Sequence, residues 1–235
     1  MKKSYIAILI LSIINSIVLV GIIIFQIVNN IKTIDSTELF KNSIDSIVEV
    51  KASTSDVGES YGSGVIYSSD GYLITNAHVV TYTRLGTTNE FDNYYIRFAS
   101  EEDYREVSLV KYDNDLDLAV LKLDNVKTKA LKTADSSKLN SGDKVYAIGN
   151  TSNKGIGICD GIISVPLVNI IYEEKTRAVI QCDLTIAQGN SGGALLNEKG
   201  KLIGITAFRT KDNSGNVIYG IVYCIPINIV LDYIK

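Results

Sequence analysis

Gly189-Asn190-Ser191-Gly192-Gly193 is the most informative stretch of this 235-residue chain. A serine between glycines in a tight turn has the geometry of a nucleophile, because its hydroxyl protrudes and neighbouring backbone N–H groups can face a developing negative charge. We expect the backbone N–H groups of Gly189 and Ser191 to form such an oxyanion hole, since glycine lets the chain turn back tightly. Taken alone, the pentapeptide also fits a serine in a flexible glycine-rich loop.

The single histidine of the sequence, His78, follows a strand-like run within Thr75-Asn76-Ala77-His78-Val79-Val80. Imidazole titrates near about pH 6.5, which suits a general base for a serine hydroxyl. Asp117 lies between His78 and Ser191, and the order His, Asp, Ser is that of the chymotrypsin class. We therefore predict that His78, Asp117 and Ser191 are the catalytic residues of a serine endopeptidase. The mechanism requires these side chains and backbone donors, so no cofactor and no metal are expected.

The choice of the acid has competitors, because Asp113 and Asp115 lie close to Asp117 in the sequence. Asp117 directly precedes the apolar run Leu118-Ala119-Val120-Leu121-Lys122-Leu123. A core strand formed by this run would hold Asp117 partly buried at its start, as the orienting carboxylate requires. Asp115 is the main rival, and an acidic turn exposed to solvent is the alternative without a catalytic role.

The N-terminal segment is predicted to cross a membrane. From Ser4 to Ile31 there is no charged residue, and this length exceeds the roughly 20 apolar residues that a transmembrane helix needs. A cleavable signal peptide has a shorter apolar region of about 7–15 residues, followed by small residues. We favour an uncleaved signal anchor, with a cleaved signal peptide as the alternative. Lys2 and Lys3 place the N-terminus in the cytoplasm and the remainder outside the cytoplasmic membrane, in a chain expected to be bacterial.

The composition of the chain limits the kinds of molecule that it is expected to bind. The chain has 23 basic and 26 acidic residues without a basic cluster, so nucleic acid is not an expected partner. Cys159, Cys182 and Cys224 lie in apolar runs and are interpreted as small buried hydrophobic residues. As an alternative, a hairpin centred on Ile170-Ile171 would place Cys159 opposite Cys182, within reach of a disulfide. The cysteine spacings do not match a metal site.

Short β-branched and tyrosine-rich runs alternate with Gly, Asn, Asp and Ser clusters, which predicts an all-β fold. A short amphipathic helix, with Ser36 as its N-cap, precedes these runs, and a second short helix ends at Lys235. The predicted organisation is a cytoplasmic start and signal anchor at 1–31, a linker and short helix at 32–41, and a single protease domain at 42–235. Within that domain we expect a first barrel at about 42–124, a second at about 140–225 and a helix at 226–235.

Several motifs together resemble the HtrA/Deg group of trypsin-like serine proteases, over about residues 40 to 233. They are Gly62-Ser63-Gly64-Val65-Ile66, the histidine motif, Asp117-Leu118-Ala119-Val120-Leu121-Lys122, Ala147-Ile148-Gly149-Asn150, Gly161-Ile162-Ile163-Ser164, the serine motif and Ile225-Pro226. The resemblance implies two six-stranded antiparallel barrels with the triad in the cleft. It also implies that the chain forms a homo-oligomer, which we expect to be a trimer. Family members commonly carry PDZ domains after the protease, whereas this sequence ends at Lys235.

The resemblance also implies the position of the primary specificity pocket. Its floor and wall would be built from Thr185, Ile186, Ala187, Ile205, Thr206 and Ala207. None of these residues is charged, so we expect cleavage after small or medium aliphatic residues rather than after Lys or Arg. The implied activity is proteolysis of extended or unfolded proteins outside the membrane, in quality control or processing. The alternative is a membrane-tethered chaperone or binding module with a latent protease site that a partner activates.

Overall fold

The computed structural model describes residues 2–30, 35–55, 57–172, 174–211, 214 and 216–235. The chain divides into two compact units, Met1–Ile34 and Asp35–Lys235. The boundary predicted between residues 31 and 32 lies outside the described residues.

The first unit contains one long helix, α1 (Lys2–Asn30). Its segment Ile8–Gln26 has 19 residues and a mean hydropathy of 3.0. At 1.5 Å per residue such a segment spans about 28 Å, close to the roughly 30 Å of a bilayer's hydrocarbon core. The helix is therefore long and apolar enough for the predicted transmembrane anchor.

The second unit begins with the short helix α2 (Ser36–Ser43). Its N-cap is Asp35, whose carboxylate accepts a hydrogen bond of 2.9 Å from the backbone N–H of Thr37. The prediction of Ser36 as the N-cap was wrong by one residue, because Asp35 has the extended backbone that a cap requires and Ser36 is already helical. Leu39 of this helix is buried.

Eight strands form the first half of the second unit. They are β1 (Ile47–Thr54), β2 (Gly58–Ile66), β3 (Tyr72–Thr75), β4 (Thr81–Arg84), β5 (Thr87–Glu90), β6 (Asn93–Phe98), β7 (Arg105–Asp113) and β8 (Leu118–Lys122). Six of them close a barrel in the order β1-β2-β3-β8-β7-β6, and β4 pairs with β5 in a separate hairpin. Inward-facing residues such as Val50, Ile96 and Leu121 form its apolar core, as the alternation of side chains along strands requires.

A single turn of helix, α3 (Ala77–Val80), lies between β3 and β4 and carries His78. Because β3 is largely buried and only Asn76 separates its last residue, Thr75, from α3, the position of His78 is fixed by the barrel. The strand-like run that precedes the histidine in the sequence therefore serves as the rigid support of this side chain.

Six further strands form the second barrel. They are β9 (Lys144–Asn150), β10 (Ile156–Tyr172), β11 (Lys175–Asp183), β12 (Ala194–Asn197), β13 (Leu202–Lys211) and β14 (Val217–Pro226). They close in the order β10-β11-β14-β13-β12-β9, and the short helix α4 (Ile227–Ile234) follows. The prediction of an all-β fold with two six-stranded antiparallel barrels and a short C-terminal helix is confirmed.

The hairpin of β10 and β11 is not centred where an opposed cysteine pair would need it. Its outermost pair is Tyr172 with Lys175, and irregularities shift the register, so Cys182 lies opposite Ile163 rather than Cys159. The possibility of a disulfide between Cys159 and Cys182 was wrong, and all three cysteines are free thiols. Burial raises the pKa of the Cys159 thiol above its usual value, which keeps that thiol protonated and unreactive at neutral pH.

Candidate active site

His78 and Asp117 lie in direct contact. The Nδ1 atom of His78 is 3.0 Å from both carboxylate oxygens of Asp117, and the backbone N–H of His78 donates to Oδ1 at 3.1 Å. The Asp117 side chain is 4% exposed, whereas that of His78 is 49% exposed. A buried acid thus holds one side of an imidazole whose other side reaches solvent, the arrangement that fixes Nε2 as the acceptor of a proton.

The backbone at Asp117 is held in an unusual conformation. Its φ angle is +55°, in the left-handed region that residues other than glycine seldom adopt. The side-chain amide of Asn76 donates a hydrogen bond of 2.8 Å to the carbonyl oxygen of Asp117. This bend turns the carboxylate back towards α3 before β8 begins. The hydrogen bond from Asn76 stabilises the bend.

The two competing acids lie elsewhere. Asp115 is exposed and forms a 2.7 Å ion pair with Lys175. Asp113 accepts hydrogen bonds of 2.8 and 2.9 Å from the backbone N–H groups of Asp115 and Leu116, and so closes the turn between β7 and β8. The structure therefore brings Asp117, and neither of its neighbours, to His78.

Ser191 lines the same cleft as His78 and Asp117. Its hydroxyl donates a hydrogen bond of 2.9 Å to the carbonyl of Ala207. The turn around it is tied to both barrels, because the N–H of Ser63 donates to the Ser191 carbonyl at 2.7 Å and the N–H of Gly192 donates to the Thr206 carbonyl at 2.8 Å. The nucleophile predicted from the pentapeptide thus stands on a rigid support.

The glycine two residues before Ser191 has a conformation and surroundings that exclude a side chain. Gly189 has a φ angle of +95°, and a Cβ atom there would lie 2.2 Å from the carbonyl oxygen of Asn150. The carbonyl of Gln188 accepts a hydrogen bond of 2.7 Å from the N–H of Ser152. Since C=O and N–H point to opposite sides of a trans peptide, this contact turns the N–H of Gly189 away from Ser152. The hydroxyl of Ser63 also donates to the Gly189 carbonyl at 2.7 Å.

The cleft has a volume of about 450 Å³. Its lining residues are Glu59, Ser60, Tyr61, His78, Asp117, Asn153, Tyr172, Arg177, Ile186, Ala187, Gln188, Gly189, Ser191, Ala207, Phe208 and Arg209. Three of the predicted pocket residues, Ile186, Ala187 and Ala207, are among them.

The remaining three predicted pocket residues do not line this cleft. Thr185 is exposed, whereas its neighbours Leu184 and Ile186 are buried. Ile205 and Thr206 of β13 are buried. The Thr206 hydroxyl donates to the carbonyl of Asn190, so this residue supports the turn that carries Ser191.

Sequence reasoning missed an aromatic and basic group on the cleft wall. The rings of Tyr172 and Phe208 stack with centroids 4.2 Å apart, and the guanidinium of Arg177 lies 5.5 Å from each centroid. Arg209 also lines the cleft. No short motif marks these residues, because β10, β11 and β13 bring them together only when the second barrel closes.

Glu59 and Tyr61 also line the cleft. The Tyr61 hydroxyl donates to Glu59, and this hydrogen bond, together with Lys51, holds the pKa of the Glu59 carboxyl below its ordinary value. The same hydrogen bond raises the pKa of Tyr61. Lys51 is 3.2 Å from the Glu59 carboxylate, so the negative charge of Glu59 already has a partner.

Comparison with known proteins gives the class to which this fold and site belong. Residues 62–205 match the family described as the trypsin-like peptidase domain. That range includes His78, Asp117 and Ser191 and more than half of the chain. The chain therefore belongs to the trypsin-like peptidase family, within its HtrA/Deg group.

Individual relatives place it within that group. The chain is 34% identical over 236 residues to the serine endoprotease DegS of Haemophilus influenzae, covering 92% of this chain and 66% of the relative. It is 38% identical over 173 residues to the periplasmic serine endoprotease DegP of Escherichia coli K12, covering 72% of this chain and 34% of the relative. The chain thus spans less than two thirds of the length of these relatives.

Solved structures show the same fold. The HtrA-type protease AlgW with a tripeptide superposes with a TM-score of 0.73 at 30% identity, over 85% of this chain and 62% of that one. The serine endoprotease from Yersinia pestis gives a TM-score of 0.67 at 30% identity, over 85% and 65% of the two chains.

Proposed function

We propose that this chain is a serine endopeptidase whose catalytic residues are His78, Asp117 and Ser191. The observation that carries the proposal is the contact of His78 Nδ1 with both oxygens of the buried Asp117 carboxylate, in a cleft that Ser191 also lines. Acyl transfer needs an acid that orients one side of an imidazole and a serine hydroxyl beside the other side. The membership in a peptidase family supports the same function.

The reaction follows from these positions. The Ser191 oxygen attacks the substrate carbonyl carbon while His78 Nε2 takes the hydroxyl proton, and the Asp117 carboxylate stabilises the resulting imidazolium. The backbone N–H groups of Gly189 and Ser191 stabilise the oxyanion. His78 then gives the proton to the departing amine, and water hydrolyses the acyl-enzyme by the same steps. The Ser191 hydroxyl must first leave its bond to the Ala207 carbonyl and turn to His78.

The cleft favours small or medium aliphatic side chains before the scissile bond. Ile186, Ala187 and Ala207 supply an apolar wall beside Ser191. A preference for Lys or Arg requires a free carboxylate in the pocket. In the described part of the chain the carboxylates that line the cleft are Asp117, which contacts His78, and Glu59, which pairs with Lys51. We expect peptides with Val, Ala or Ile at this position to be cleaved in preference to those with Lys.

The apolar helix supports a membrane-anchored protease that acts outside the cytoplasmic membrane. The 19-residue span Ile8–Gln26 is long enough to cross a bilayer, and Lys2 and Lys3 favour a cytoplasmic N-terminus. Relatives named as periplasmic endoproteases agree with this placement. Extended or unfolded proteins in that compartment are the proposed substrates, and their removal or processing is the proposed role.

The test is fluorophosphonate labelling of the full-length chain in detergent micelles, because this reagent reacts with an activated serine. The wild type should be labelled, and mass spectrometry should place the adduct on Ser191. Ser191→Ala should abolish labelling, and His78→Ala should reduce it at least 1,000-fold, in line with the loss of a triad base. Ser108→Ala, an exposed serine of β7, is the matched control and should react as the wild type does.

A folded wild type that is not labelled would contradict the proposal of an active protease. It would favour the alternative of a tethered binding module, for which the Ser191 bond to the Ala207 carbonyl would be the resting state. Labelling that survives in His78→Ala would show that another group activates the serine.

A further inference from the structure

Arg177 reaches from the second barrel to the turn that carries Asp117. It lies on β11, and its side chain is 8% exposed. Its Nη2 donates a hydrogen bond of 3.0 Å to the backbone carbonyl of Asn114, and its Nη1 lies 3.8 Å from Oδ2 of Asp117. One guanidinium therefore contacts two points of the same turn, at its backbone and at its acidic side chain.

The aromatic pair on the cleft wall holds this guanidinium in place. Tyr172 and Phe208 stack on each other, and the guanidinium carbon of Arg177 is 5.5 Å from each ring centroid. Its Nε is buried without a hydrogen-bond partner among the described residues, so the two Nη contacts and the rings fix its position. Since the side chain is almost fully buried, its charge acts on Asp117 with little screening by water.

Lys175, two residues earlier on the same strand, makes a different contact. It pairs with the exposed Asp115 at 2.7 Å, and the lysine side chain is 38% exposed. Exposed ion pairs of this kind contribute little to stability. The two basic residues thus face the same turn, but Arg177 alone of this pair reaches Asp117.

We propose, resting on the proposed function, that Arg177 is a positioning residue that acts through Asp117. The first barrel supplies the acid at a backbone position with a φ of +55°, a strained conformation that persists only where surrounding contacts enforce it. Arg177 enforces it from the second barrel by binding the Asn114 carbonyl and by attracting Oδ2. The carboxylate therefore keeps both oxygens on His78 Nδ1 only while the two barrels are correctly joined.

A double-mutant cycle in the full-length chain tests this role, with the rate of fluorophosphonate labelling of Ser191 as the readout. Arg177→Met should lower the rate constant about 10- to 100-fold, as expected when a catalytic group is misplaced by about 1 Å. In an Asp117→Asn background the same change should cost less than about 3-fold, because the charge on which Arg177 acts is gone. Arg177→Lys, which keeps the charge but loses the planar fork, should recover part of the rate.

Lys175→Met is the matched control, and it should label within about 2-fold of the wild type. Thermal unfolding of every variant establishes that it is folded, and if Arg177→Met does not fold, Arg177→Gln takes its place in the cycle. An equal loss in both backgrounds would overturn the proposal, since a merely structural residue does not depend on Asp117. A rate for Arg177→Met within about 2-fold of the wild type would also overturn it. Absence of labelling in the folded wild type would overturn the proposed function itself, and with it this role of Arg177.

Discussion

The hydroxyl of Ser63 donates a hydrogen bond of 2.7 Å to the carbonyl of Gly189, and so links β2 of the first barrel to the turn that precedes Ser191. The same oxygen accepts a hydrogen bond of 2.8 Å from the N–H of Asn150 at the end of β9. A single buried hydroxyl therefore connects three segments that meet at the active-site cleft.

Ser63→Ala should weaken this junction. The change leaves the buried Asn150 N–H and the Gly189 carbonyl without this partner, which costs about 1–3 kcal/mol of stability. The labelling rate of Ser191 should fall because the Gly189 peptide loses a support. Thermal unfolding and labelling are compared with those of Ser108→Ala, whose hydroxyl is exposed. Equal behaviour of the two variants would show that the hydroxyl of Ser63 is dispensable.

Gly189→Ala should abolish labelling while Gly86→Ala should not. Both glycines have a positive φ, of +95° and +79° respectively. A Cβ at Gly189 would lie 2.2 Å from the Asn150 carbonyl oxygen, whereas one at Gly86 meets no atom within 4 Å. The first substitution must displace the backbone that donates to the oxyanion, and the second adds only conformational strain of about 1 kcal/mol. Labelling of folded Gly189→Ala at the wild-type rate would contradict the proposed oxyanion hole.

Asp117→Asn should lower the activity about 10³- to 10⁴-fold, because the amide favours the wrong tautomer of His78. Asp115→Asn removes only an exposed ion pair with Lys175 and should leave the activity within about 2-fold. Both are measured as rates of fluorophosphonate labelling. The reverse ranking would make Asp115, the main rival of Asp117 in the sequence, the acid instead.

Asp135 makes a pH-dependent contribution to stability. Hydrogen bonds from Asn228, the larger cause, and from Ser137 lower the pKa of its carboxyl from 3.8 to about 2. Because the folded-state pKa is the lower one, this stabilisation is fully present above about pH 4 and is lost as the pH falls through about 2. Asp135→Asn should therefore have a lower Tm than the wild type at pH 6, and the difference should shrink towards pH 2. A difference in Tm that is independent of pH would contradict this assignment.

Much of the fold follows from local patterns in the sequence. Alternating apolar runs predict the strands, the 19-residue apolar segment predicts α1, and the motifs around His78 and Ser191 predict a two-barrel peptidase. The ends and the pairing register of the strands were harder to predict from the sequence. Strand β10 extends over 17 residues to Tyr172, and its bulged register moves Cys182 away from Cys159. A bulge depends on the partner strand, and therefore a run of residues does not reveal it.

The sequence by itself determined the candidate nucleophile and base, because the chain has one histidine and Ser191 stands in the motif Gly189–Gly193. The sequence favoured Asp117 over Asp115 from its position before an apolar run, but only the tertiary structure shows which carboxylate the left-handed bend turns towards His78. It alone placed Arg177 beside Asp117, because these residues are contributed by different barrels. Local periodicity records which side chains are buried, whereas contacts between barrels depend on how the two closed sheets pack, and no local pattern encodes that.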